Sequence, residues 1–221
     1  MKTKLFLLFF IVVPGMLLAQ KENENTFTAK IDGEVMQTEP RQVKFGRAVY
    51  FTANTTSPET MLRIWLGDFK GKASFETGTY LVVSADEAPS KKEIKEGDYV
   101  NKYKGFAFIR YVTETRAPRM NYHVGDSQNN EELVVVNNTG DGTVEITFDN
   151  MVLAGTHWKE KDAATVFGGG GRLKGKMESK MLSQLTGYDW NIDPEGNGYR
   201  KLKETDTINL TEGKMVIKLK D

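Results

Sequence analysis

The sequence predicts an all-β protein, an antiparallel β-sandwich with a partly open barrel as the alternative. Three observations predict it. Gly140-Asp141-Gly142 opens into Val144, Ile146 and Phe148 alternating with Glu145, Thr147 and Asp149, which is the period of a half-buried strand. The apolar run Leu133-Val134-Val135-Val136 lies one turn upstream, so the two segments read as a β-hairpin. Short alternating stretches between Gly, Asn, Asp and Pro turns recur along most of the chain, with little helical periodicity.

The first segment is an address. Lys2 and Lys4 precede nine apolar residues, 5–13, followed by Pro14-Gly15 and then Met16-Leu17-Leu18-Ala19. This is the pattern of a secretory signal peptide over 1–19, with cleavage expected near Ala19. The apolar run is far shorter than the ~20 residues a membrane-spanning helix needs, and no second such run follows. The expected destination is therefore the periplasm, the outer surface or the extracellular space, without a transmembrane segment.

The mature chain is expected to comprise a flexible tail over 20–26 and one β-sandwich domain over 27–221. Phe27, Ala29 and Ile31 alternate with polar residues before Asp32-Gly33 turns the chain. Val43, Phe45, Val49 and Phe51 share a parity and read as one strand, with a loop beginning at Ala53. Leu62, Ile64 and Leu66 form the next strand, and Gly78-Thr79 leads into Tyr80-Leu81-Val82-Val83. Residues 84–98, with Pro89 and the charged run 91–96, read as a solvated loop or short helical turn. Strands resume at 106–112 and 120–124, rich in aromatic and branched side chains.

The longest departure from the β pattern is the loop-rich insertion between Gly155 and Asp206. It holds four consecutive glycines, 168–171, a strand restart at 172–177, and Met177, Met181, Leu185 and Tyr188 at spacing that permits a short helix. The closing strand follows Gly213, with Met215, Ile217 and Leu219 inward and lysines between them.

The blocks Phe27-Thr28-Ala29-Lys30-Ile31-Asp32-Gly33, Gly78-Thr79-Tyr80, 142–150 and 208–219 resemble those of secreted and lipid-anchored β-sandwich proteins of Bacteroidota. The resemblance implies the fold and the exported address. It carries over no activity and no site residues. The lipid-anchored members need a cysteine after the signal, and this chain has none.

The absence of cysteine also excludes disulfides, thiol nucleophiles and cysteine-ligated zinc, while a chain of 221 residues is long enough to build a core without staples. The 30 basic and 30 acidic side chains balance, and loss of Lys2 and Lys4 with the signal makes the mature chain slightly acidic, so nucleic acid is not an expected partner. His123 and His157 are the two imidazoles, and neither lies in a metal-ligand spacing such as His-x-x-x-His, so each reads as an ordinary surface or hydrogen-bonded side chain. No Gly-x-Ser-x-Gly elbow singles out a nucleophile, and the glycine run lacks the Lys-Ser/Thr of a phosphate loop.

Two weak candidates remain in the insertion. Asp189, Asn191 and Asp193 alternate oxygen-bearing side chains, the type that calcium takes, but Pro194 and Arg200 stand where a calcium loop wants Gly and Glu, and a polar turn accounts for the same residues. Trp158, Tyr188, Trp190 and Tyr199 offer flat faces on which a sugar stacks, or equally anchors that pack a loop onto a sheet. The leading expectation is a non-catalytic exported module binding a glycan or a protein partner. A structural subunit of an envelope assembly and a glycan-acting hydrolase with an unrecognised carboxylate pair are the alternatives.

Overall fold

The computed structural model describes residues 25–45, 48–56, 59–84, 89–115, 121–128, 132–160 and 199–220. The strand restart at 172–177 and the short helix proposed near 177–188 lie outside them. Twelve strands are present among the described residues: β1 (Thr26–Ile31), β2 (Glu34–Thr38), β3 (Pro40–Phe45), β4 (Ala48–Thr56), β5 (Glu59–Gly67), β6 (Gly78–Val82), β7 (Gly105–Thr115), β8 (Asn121–Ser127), β9 (Leu133–Asn138), β10 (Thr143–Phe148), β11 (Met151–Glu160) and β12 (Tyr199–Lys218). Helices α1 (Lys91–Glu96) and α2 (Tyr99–Lys102) join β6 to β7. The all-β architecture is as the sequence predicts.

The strands order as β2-β1-β12-β10-β9-β6-β7-β5-β4-β3, with β8 and β11 bridging β7 to β12 by a second route. Pairing is antiparallel except for β6 against β7, which run parallel. That exception to the expected antiparallel pairing has a simple cause: the two helices between β6 and β7 provide the crossover that a parallel pair requires.

The expected hairpin of β9 and β10 forms, with Val134 opposite Phe148 and Val136 opposite Ile146. Its inward residues Val144 and Ile146 are fully buried and Phe148 nearly so. They join one core with Phe27, Phe51, Leu62, Ile64, Tyr80, Ile109, Leu153, Ile208, Met215 and Ile217, drawn from almost every strand. Two satellite clusters lie on the other sides of the same strands. One gathers Met61, Val112, Tyr122, Val124 and Tyr199, with Trp158 against it. The second gathers Leu81, Val83, Ile94 and Phe106, with Trp65 and Tyr99 against it.

Several sequence expectations are corrected. The segment read as one strand from Val43 to Phe51 is two antiparallel strands, β3 pairing β4 with Val43 opposite Tyr50 and Gln42 opposite Phe51, so the parity that Val43 and Phe51 share in the sequence puts them on opposite faces of the pair. The loop expected from Ala53 is the outer half of β4, where Ala53 is fully buried. Strand β2 was not foreseen; Asp32 and Gly33 both take positive φ, the two-residue turn geometry that returns a chain directly onto itself. The charged excursion holds α1, which is capped by Ser90 and Glu93 in reciprocal hydrogen bonds and buries Ile94.

The largest correction concerns the insertion. It begins only after β11 and ends before β12, since residues 151–160 and 199–206 are paired strand. Strands β10 and β11 follow one another along β12, from Thr143 opposite Lys218 to Glu160 opposite Tyr199. The ribbon bends where Asp149-Asn150 meets Thr211-Glu212: Asn150 and Glu212 take positive φ, and the Glu212 N–H donates to Asp149 Oδ1 at 2.9 Å. Beyond the bend β12 leaves β10 for β11, and no described strand pairs with its other side over 199–207. Exposed Arg200, Lys201, Lys203 and Glu204 guard that edge against pairing with another chain.

Candidate functional site

The bend carries β8, β11 and the first half of β12 past the end of the core as a three-stranded rim, and the inward face of that rim changes in character along its length. Strand registers define the rows. Ile64, Ile109, Ser127, Leu153 and Ile208 form a buried row. The next row is Leu62, Tyr111, Gly125, Gly155 and Asp206, and the one beyond it Thr60, Thr113, His123 and His157. Apolar packing thus gives way to glycine and then to imidazole and carboxylate on a single face.

His123 and His157 stand directly opposite each other on β8 and β11. Directly opposed side chains on antiparallel strands start only ~5 Å apart at Cβ, which brings the rings together. They stack in parallel, centroids 4.3 Å apart with 5° between planes. Both present Nε2 to the same carboxylate: His123 Nε2 lies 2.8 Å from Asp206 Oδ1 and His157 Nε2 lies 3.2 Å from Asp206 Oδ2. An imidazole that carries its proton on Nε2 donates to each oxygen.

Asp206 reaches both histidines because Gly155 lies between them and it. A Cβ on Gly155 would stand 1.8 Å from Asp206 Oδ1 and 2.8 Å from His123 Nε2, so any side chain there displaces the carboxylate. A bulge completes the arrangement. Thr156 pairs with Thr205 and Trp158 with Lys201, so the single residue His157 faces residues 202–204 of β12. Such an excess bends its strand and re-aims the neighbouring side chains.

The cluster is open to solvent on one side, His123 retaining 25 % of its side-chain exposure, His157 33 % and Asp206 44 %. Partial burial alone would raise the Asp206 pKa, but hydrogen bonds and positive charge from His123 and then His157 outweigh it and hold the carboxyl below its ordinary value. One nitrogen from each histidine and one carboxylate oxygen lie mutually within 4.8 Å, the only such grouping of His, Asp and Glu ligand atoms among the described residues.

The sequence candidates fall elsewhere. Tyr188, Trp190, Asp189, Asn191 and Asp193 lie outside the described residues. Trp158 is on the opposite face of β11 from His157, packed against the satellite cluster, and its Nε1–H donates to Thr156 Oγ1 at 3.0 Å. Tyr199 is buried edge-on against Tyr122, with ring centroids 4.6 Å apart. Each packs as an anchor of the sheet. The histidines read singly as ordinary side chains, and the site they form with Asp206 was missed. One signal was present: His123-x-Gly125 and Gly155-x-His157 are mirror images, which an antiparallel pairing turns into His opposite His and Gly opposite Gly.

Comparison with family models, curated proteins and solved structures finds no match to this chain. No helix among the described residues is long and apolar enough to cross a membrane.

Proposed function

We propose that the protein is an exported, non-catalytic β-sandwich module that binds a glycan or a protein partner at the cell envelope, with contact made at the rim of β8, β11 and β12. The observation that carries this reading is the convergence of His123, His157 and Asp206 from three strands onto a face that is elsewhere given to the core. Such a face normally ends in apolar or solvated side chains. Here a half-exposed carboxylate and two imidazole edges are held ready by strand pairing rather than by a loop, which limits the side-chain entropy a ligand must remove. Carboxylate and imidazole edges are the hydrogen-bonding groups that recognise sugar hydroxyls. The signal-like residues 1–19 and the lack of a second apolar run support export.

The test is a glycan array on the mature chain and on Asp206→Ala and Trp158→Ala, each first checked for a normal melt. We expect Asp206→Ala to lose binding by tenfold or more, the equivalent of about 1.4 kcal/mol. Trp158→Ala should instead lower stability, by roughly 2 kcal/mol or more for a half-buried indole, and leave affinity unchanged in the folded fraction. Undiminished binding by Asp206→Ala would move the site away from the rim. No bound glycan would overturn the glycan reading and leave the protein partner.

A further inference from the structure

We propose that His123, His157 and Asp206 form a binding site for one divalent transition-metal ion of the zinc class, with two imidazole nitrogens and one carboxylate oxygen as protein ligands. This goes beyond the binding-module reading and stands whether or not a glycan binds.

The donor set comes first. Two neutral imidazoles and a carboxylate suit zinc, nickel, copper or ferrous iron, whereas calcium and magnesium prefer all-oxygen sites. Spacing comes second. A tetrahedral ion with ligands near 2.0–2.2 Å holds its donors about 3.3 Å apart. Each histidine nitrogen lies near that distance from the carboxylate, His123 Nε2 at 2.8 Å from Oδ1 and His157 Nε2 at 3.2 Å from Oδ2, and one donor from each of the three residues lies within 4.8 Å of the others. The two rings, now parallel, tilt until both planes contain the ion, and Nε2 of each ligates with the ring's proton on Nδ1, so the imidazoles bind as neutral ligands.

Rigidity comes third. All three side chains stand on paired strands, His123 and His157 opposite one another and Asp206 opposite Gly155. Gly155 is the positioning element. It donates nothing to the ion, yet its missing side chain is the room through which Asp206 reaches across β11. Openness comes last. The retained exposure of all three side chains leaves coordination positions for water or for a donor atom from a bound molecule, the arrangement of three protein ligands plus an open position. Without an ion, the same carboxylate simply accepts two imidazole hydrogen bonds, and the experiment must separate that state from a metal site.

The full exported chain, free of tag histidines and stripped with chelator, is titrated with Zn2+ by calorimetry and with Co2+ by visible absorption. We expect one equivalent of Zn2+ bound with a micromolar or tighter constant, a rise in Tm with Zn2+, and Co2+ bands that Zn2+ bleaches. His123→Ala, His157→Ala and Asp206→Asn should each weaken Zn2+ at least tenfold. Gly155→Ala, whose ligands are all intact, should weaken it as well. Its φ lies outside the left-handed region and its new Cβ meets the ends of two movable side chains, Asp206 and His123, so its metal-free melt should stay near the parent's. Absence of stoichiometric binding by the parent, or undiminished binding by the folded Asp206→Asn and Gly155→Ala variants, would overturn the proposal. A failed array with a successful metal titration would remove only the glycan reading.

Discussion

At the residue scale, single polar side chains set the geometry that the strands then propagate. Asp141 shows how. Its Oδ1 accepts from Thr139 Oγ1 at 2.5 Å and from the Thr143 N–H at 2.8 Å, tying the turn between β9 and β10. The Thr139 hydroxyl first, then the Thr143 groups and the nearby Lys218 ammonium, hold its carboxyl far below the ordinary value of 3.8. Because the folded pKa is depressed, this carboxylate's stabilisation is present above the unfolded value and is lost as pH falls towards the folded one. Removing the titration by Asp141→Asn should therefore give a denaturant midpoint that differs from the parent's by a constant amount above about pH 5 and converges with it at lower pH. A difference that stays flat down to pH 2 would show that the turn does not depend on the charge.

At the scale of the element, the β9-β10 hairpin was the most legible part of the chain, because alternation and a glycine turn sit next to each other in the sequence. Its faces differ sharply. Phe148 is 4 % exposed, and its ring lies where a Cβ on Gly213 of β12 would come within 2.1 Å, so the aromatic packs directly on a neighbouring backbone. Phe148→Asp should cost several kcal/mol by placing a carboxylate there, whereas Thr147→Asp, on the other face, should change stability by under about 1 kcal/mol. Equal shifts of the two variants in a urea melt would contradict this register. Strands β2 and β11 were less legible for physical reasons. The short β2 has a mostly exposed pattern, and β11 carries Gly155, Thr156 and His157 where an apolar row would have announced it. The same interruption that hid β11 as a strand makes the rim: imidazole and glycine are poor strand signals, and here His157 faces His123 and Gly155 faces Gly125 across the β8–β11 pair. The partners of the histidine-carboxylate cluster are 83 and 49 residues apart, a separation no local spacing rule can reach.

At the scale of the whole molecule, the question is whether the rim and the helix-covered end unfold with the core or apart from it. A chain of this length often unfolds in stages. Here two strands argue against it. β5 supplies Leu62 and Ile64 to the main core, Met61 to the cluster beneath the rim, and Trp65 to the cluster under α1. β7 does the same, with Ala107 and Tyr111 in the main core beside Phe106 and Val112 in the two satellites. Neither satellite can lose its packing without loosening strands whose other faces are the centre of the protein, so their stabilities are coupled through side chains only one residue apart. The tryptophans report on this directly, since Trp65 lies against one satellite and Trp158 against the other. In a Trp190→Phe background, the single-tryptophan variants made by adding Trp65→Phe or Trp158→Phe isolate one reporter each. Each variant's fluorescence transition in denaturant should coincide with its own far-ultraviolet circular dichroism transition, and both should be steep. An earlier fluorescence transition for Trp158 alone would mean that the rim opens as a separate unit, with the histidine-carboxylate cluster presented by a less stable sheet than the core provides.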